Sequence, residues 1–376
     1  MPRLTSFSQS AFAGVGINRT EFMELLYTLT NPNTGGGTST ADADGDVVAI
    51  SNNYIAVSAP AESTNSGYVY VYNMSDGSLA QSFANPNYAG GSTSDSFGRG
   101  NMSINGNTLV VGAPAENGGS TSAGAAYICN ISNGGTSTIT NPNAYNTADY
   151  DNFGCSVATD GTNIIVGANN EDAFNNNGTG YAYIFNSSGD PVSSIANPNT
   201  TFTAALDNFG DSVATNGTLW AISASGEDNP SNAAGVIHIF NTSGVRQRTI
   251  ANPRSDSLRL AQSNKMDLDG DNLIAGSANY VHVFDITDGS EQRQLGPFSA
   301  PVQAVSISGD YALIASNNNS TIYNVYLYNW TTGTLLKTIS PIDPINSDSV
   351  YVQIRGTKLV IGDGANNTVY VYQLNV

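Results

Sequence analysis

The string Asn-Pro-Asn recurs at Asn31, Asn85, Asn141 and Asn197, and Asn252-Pro253-Arg254 continues the series with one change. Pro297 and Pro341 extend it in a shorter form. The prolines lie 54, 56, 56, 55, 44 and 44 residues apart, which divides the chain into seven successive units. Self-similarity at such a period restricts the chain to an array or ring of small units, none of which can bury its apolar face alone.

Each unit repeats the same segments in the same order. Strand A, as in Ser156-Val157-Ala158-Thr159 and Ser212-Val213-Ala214-Thr215, ends in a turn such as Asn105-Gly106, Asp160-Gly161, Asn216-Gly217 or Ser308-Gly309. Asn-Gly and Asp-Gly between apolar runs are strong hairpin signals. Strand B returns seven times, at Ile55 to Val57, Leu109 to Val111, Ile164 to Val166, Leu219 to Ile222, Leu273 to Ala275, Leu313 to Ala315 and Leu359 to Ile361. Strand C alternates with period two: Tyr70, Tyr127, Tyr183, His238, His282, Tyr326 and Tyr370 share one position, and an aromatic residue or Cys129 stands two residues on. A Gly-rich turn and strand D then lead into the next proline.

Four antiparallel strands per unit of this length predict an all-β fold, a seven-bladed β-propeller. Composition agrees. Only 11% of residues are charged where about 25% is usual, so Asn, Ser, Thr and the 39 glycines supply the polarity. These residues disfavour long helices. Hydrophobic residues make up 40% of the chain, which argues against disorder.

The last unit has strands A, B and C after Pro341 but no strand D. At the other end, Leu25-Leu26-Tyr27-Thr28-Leu29-Thr30 runs into Asn31-Pro32 as every strand D does. A strand over 24–31 is therefore expected to complete blade 7 and close the ring, removing free sheet edges. The predicted organisation is an N-terminal docking arm over 1–22 and a propeller over 23–376, with blades at about 32–84, 85–140, 141–196, 197–251, 252–296, 297–340 and 341–376.

Phe97-Gly98, Phe153-Gly154 and Phe209-Gly210, with Val111-Gly112-Ala113-Pro114 and its near matches Val57-Ser58-Ala59-Pro60 and Val166-Gly167-Ala168-Asn169, resemble FG-GAP repeats. These are the units of the integrin α-subunit propeller and of many bacterial and viral propellers. The clear motif covers 31 to about 252; blades 5 to 7 keep only the strand pattern. The resemblance implies the fold and leaves function open. In calcium-binding members an Asp-rich loop joins strands A and B. The closest approach here, Asp267-Leu268-Asp269-Gly270-Asp271, is shorter than a loop of alternating carboxylates able to coordinate calcium, and reads as a hairpin turn.

Glu62, Glu116, Glu171 and Glu227 each fall four residues after the Gly or Ser that ends strand B, and Asp95, Asp151 and Asp207 each fall two residues before the Phe of the FG element. The B-to-C and D-to-A loops of a four-stranded meander emerge on one face, so blades 1 to 4 are expected to present an acidic rim there. The rim reads in two ways: carboxylates accepting backbone N–H groups in turns and keeping the surface soluble, or a contact with a cation or a basic partner. His238 and His282 replace a repeated tyrosine, which points to packing or hydrogen bonding within the blade. Cys129 and Cys155 lie on different repeats, so no disulfide is expected. No phosphate-binding loop or nucleophile elbow is present; a carboxylate-dependent glycoside hydrolase is a minor alternative.

A net charge of -18 and a pI near 4.1 exclude nucleic acid and anionic lipid as expected partners. No run of about 20 apolar residues crosses a membrane, and Met1 to Gly16 does not read as a secretory signal. The arm, with Leu4, Phe7 and Phe12 as docking residues, is expected to order against a partner. A lysine-poor propeller rich in Gly, Ser, Thr and Asn with such an arm is similar in style to structural proteins of marine bacteriophages. The leading expectation is a non-enzymatic structural or attachment protein of a phage particle, tail- or surface-associated, located in the virion. Its partners would be other virion proteins, itself as an oligomer, or a host-surface glycan or protein. The alternative is an extracellular bacterial adhesin that binds carbohydrate or protein with calcium assistance. No cofactor is expected beyond that calcium.

Overall fold

The computed structural model describes residues 22–33, 45–87, 95, 97–117, 122–142, 150–172, 178–199, 206–228, 233–254, 259–263, 265–318, 322–339, 350–364 and 366–376. Leu4, Phe7 and Phe12, and the arm that carries them, lie outside these residues.

The described strands form seven four-stranded antiparallel sheets. Blades 1 to 6 each use four consecutive strands, running from Val48–Ile50 in blade 1 to Thr334–Ile339 in blade 6. Blade 7 is assembled from both ends of the chain. Its strands A to C are Val350–Arg355, Lys358–Asp363 and Thr368–Leu374, and its strand D is Met23–Thr30. Met23 pairs with Leu374 and Thr30 with Thr368, so the N-terminal strand closes the ring as the sequence predicts. The described residues contain one helical turn, Glu62–Asn65, inside the B-to-C loop of blade 1.

The core follows from the period of two. Strands A to C are covered on both faces, so their runs read as nearly continuous apolar sequence. Strand D lies outermost and turns one residue inward in each blade: Phe83, Ile139, Ile195, Ile250, Leu295, Ile339 and Leu29 are all buried, while most of their neighbours are exposed. Buried side chains form seven clusters, and each joins two adjacent blades. The cluster between blades 7 and 1 holds Leu29, Val360, Val369 and Val371 against Val48, Ile55 and Val57. The seam that closes the ring is thus filled by buried apolar side chains as the others are.

The FG element is the hinge between blades. The backbone N–H of Phe97, Phe153 and Phe209 donates to the carbonyls of Ser66, Ala123 and Thr179 in the preceding blade. Gly98, Gly154 and Gly210 have φ of +86°, +91° and +91°, a left-handed conformation that glycine adopts at little cost. A Cβ on Gly154 would overlap the Ala125 carbonyl, and one on Gly112 or Gly167 would overlap the carbonyl of the next blade's FG glycine. The paired motif therefore exists because two backbones touch at each seam. Blade 5 keeps more than its strand pattern: Leu260 takes the place of Phe, with its N–H on the Ala234 carbonyl. In blade 6, Phe298 binds the Asn279 carbonyl in the same manner.

The strand A side chains of six blades surround a central cavity of about 390 Å³. Asn101, Thr159, Thr215, Met266, Gln353 and Arg355 are among its lining residues.

Candidate functional site

The seven acidic residues do lie on the B-to-C and D-to-A loops, yet the solvated rim expected from their positions is corrected by their burial. Glu62, Glu116, Glu171, Glu227, Asp95, Asp151 and Asp207 are each between 0% and 8% exposed. The physical reason is that amide, hydroxyl or, at Glu227, imidazole groups at a blade seam meet at least one oxygen of each carboxylate, which offsets part of the cost of removing it from water.

Two sets of donors do this. Strand C supplies one: Tyr70 Oη donates to both Glu62 oxygens at 2.8 and 2.9 Å, Tyr127 to Glu116 Oε2 at 2.5 Å, and Tyr183 to both Glu171 oxygens at 2.6 and 2.7 Å. The Asn-Pro-Asn string supplies the other. Its first Asn accepts the N–H of its second through the side-chain oxygen, as in Asn85 with Asn87 and Asn197 with Asn199, closing an Asx turn around the proline. The amide of that first Asn then holds the aspartate ten residues on: Asn85 to Asp95 at 3.1 Å, Asn141 to Asp151 at 2.8 Å and Asn197 to Asp207 at 2.8 Å. The second Asn reaches the next blade, with Asn33 on Glu62 at 2.7 Å and Asn87 on Glu116 at 3.0 Å. The fixed spacings of 10 and 29 residues were present in the sequence; no local pattern tied the amides to the acids.

Burial dominates the electrostatics. It raises the Glu116 carboxyl to about 7; the Tyr127 and Asn87 hydrogen bonds pull it back and the charge of Asp95 pushes it further. Asp207 is raised to about 6, chiefly by burial, against the two Asn donors and with the charges of Glu227 and Asp228 adding to the rise.

His238 serves its blade in the manner expected of a substituted tyrosine. Its Nε2 lies 3.2 Å from Glu227 Oε2, and its Nδ1 lies 2.9 Å from Thr249 Oγ1. His282 Nδ1 lies 2.7 Å from Glu291 Oε1 on strand D. Both cysteines are free, and burial pushes the Cys155 thiol up to about 12, against its use as a nucleophile.

The Asp267 to Asp271 segment is a hairpin, with Asp269 paired to Asn272. Asp267 Oδ2 accepts from Ser306 Oγ at 2.7 Å and from the Ile307 N–H at 3.0 Å, and Asp269 Oδ2 accepts from the Gly309 N–H at 2.7 Å. These carboxylates tie blade 5 to blade 6. Among the described residues no three His, Cys, Asp or Glu side chains converge to hold a metal.

Among the described residues of these loops, two large hydrophobic side chains stand in solvent. Tyr150 and Leu206 directly precede Asp151 and Asp207, with φ of +66° and +63°, and are 60% and 59% exposed. The left-handed turn sends the aspartate inward and the preceding side chain outward. Sequence reasoning passed over both residues because neither belongs to the repeated motif.

Seven four-stranded sheets in a ring, joined by FG glycines and amide-carboxylate contacts, define a repeat-built β-propeller. Residues 89–129 and 143–185, in blades 2 and 3, match the FG-GAP repeat family. The chain carries FG-GAP repeats, an architecture that points to protein-protein interaction or adhesion. A comparison with curated proteins gave no match.

Proposed function

We propose that this propeller is a non-enzymatic interaction module and, more specifically, a structural or attachment component of a bacteriophage particle, residing in the virion. The observation that supports an interaction role is the loop face of blades 2 to 4, where Tyr150 and Leu206 stand in solvent on strained turns while the acidic groups beside them are locked inward. Large apolar residues held outward at an unfavourable φ fit contact with another surface. The particle assignment draws on the composition of the chain and on the apolar residues of its N-terminal segment. The calcium-assisted adhesin has less support, because its carboxylates are consumed within the seams.

Carboxylate-reactive crosslinking and mass spectrometry on the native source tests this reading, since Lys265, Lys337 and Lys358 are the only lysines. Crosslinks from Glu21 or Glu24 to other particle proteins are expected. A chain recovered without particle proteins and crosslinked only to cell-envelope material would reject the virion role.

A further inference from the structure

The seam between blades 3 and 4 departs from its neighbours in three respects. Tyrosine is replaced by His238, so Glu227 receives one contact, at Oε2, where Glu62 and Glu171 receive tyrosine hydroxyls on both oxygens. Asn199 donates to Asp207 Oδ2 at 2.8 Å, whereas its counterparts Asn33 and Asn87 donate to the glutamate of the next blade. Asp207 Oδ1 is buried and has no hydrogen-bond partner, in a residue only 1% exposed.

A buried carboxylate oxygen with no donor is costly when charged, and a second carboxylate within electrostatic range increases the cost. The groups around it are few. Asn197 and Asn199 hold the other oxygen, Glu227 and Asp228 add negative charge, and His238 faces Glu227. Arg259 does not compensate this charge; its Nη1 donates to Asn208 Oδ1 at 3.2 Å. We propose that this seam is a proton-dependent clasp: Asp207 sits protonated in the seam, and loss of its proton loosens the loop that carries Leu206 and Asn208. That loop is already strained, with Leu206 and Asn208 at φ of +63° and +56°, and is held to blade 3 by the Asn208 N–H on the Gly178 carbonyl and to blade 4 by the Gly226 N–H on the Asp207 carbonyl.

The sign is fixed by the neutral form being the one the fold favours. The Asp207 carboxyl lies near 6 in the folded chain against an ordinary 3.8, so its contribution to seam stability is full below 3.8 and disappears as pH rises through about 6. The loop should therefore tighten in acid and open in base.

Hydrogen exchange across residues 206–210, corrected for the intrinsic pH dependence of exchange, reads this directly. Protection is expected to fall about tenfold between about pH 5 and pH 8, and to be flat in Asp207→Asn. Equal slopes in the two proteins, or a flat wild type, would overturn the proposal. If Asp207→Asn does not fold, Glu227→Gln serves instead, with protection at high pH expected to rise; an unchanged profile would overturn it. A carboxyl-carbon NMR titration of Asp207 in the full chain should inflect near 6, and inflection at the ordinary 3.8 would also overturn it.

Discussion

At the residue scale, two kinds of position carry the fold. The first is the glycine at a seam. Gly154 combines φ of +91° with a carbonyl where its Cβ would stand, whereas Gly106, at φ +57°, has open space around it. Gly154→Ala is expected to cost more than about 3 kcal/mol, and Gly106→Ala about 1 kcal/mol, the left-handed penalty alone. Denaturant melts of the two variants check the difference. The second kind is the strand C hydroxyl. Tyr127→Phe leaves Glu116 with the Asn87 amide as its side-chain donor and should destabilise by about 1–3 kcal/mol. The same substitution at Tyr326, which stands in a blade without the glutamate, should cost well under half as much in the same assay.

At the element scale, strand D of blade 7 decides whether the ring is closed. Met23–Thr30 covers the outer edge of Thr368–Leu374 and contributes Leu29 to the seam with blade 1. Deleting residues 1–30 is expected to expose that edge, lower the melting temperature and make blade 7 the first segment cut by limited proteolysis. If proteolysis begins elsewhere with unchanged kinetics, the closing strand is not the latch. This element was legible in the sequence because a missing strand at one end and a surplus strand at the other add to one blade. The Asn-Pro-Asn turn was legible only in part. Its role as punctuation was plain, while its amides turned out to be the donors for carboxylates 10 and 29 residues away. An Asn side chain in a turn has several backbone partners within reach, and sequence spacing alone does not choose between them.

At the scale of the whole molecule, the buried carboxyls make stability depend on pH in an unusual direction. Glu116 lies near 7 in the folded chain against an ordinary 4.5, so its favourable contribution is present below 4.5 and is lost as pH rises through about 7. The melting temperature should therefore fall between about pH 5 and pH 8, and Glu116→Gln should reduce that fall. A melting temperature that rises over this window, with no difference in Glu116→Gln, would overturn this reading of Glu116. The loop face makes a separate prediction. Tyr150→Ser with Leu206→Ser should leave the melting temperature within about 2 °C, since both side chains are solvated, yet reduce association with the binding surface at least about tenfold in a pull-down from the native source.

The sequence by itself determined the number of blades, the order of the strands, the seam glycines and the closure of the ring. All of these follow from periodicity, which depends on residue order and on local backbone preference. The tertiary structure alone decided which way the acidic residues face. Glu62 and Asp95 have the composition of a solvated rim, and their neighbours in the chain give no reason to bury them. They are buried because the folded loops turn Tyr70 and Asn85, 8 and 10 residues away, onto them and the blade junction adds Asn33, 29 residues away. Desolvation is offset only where such donors converge in space, and that convergence is set by the folded loops and blade seams rather than by the residue order.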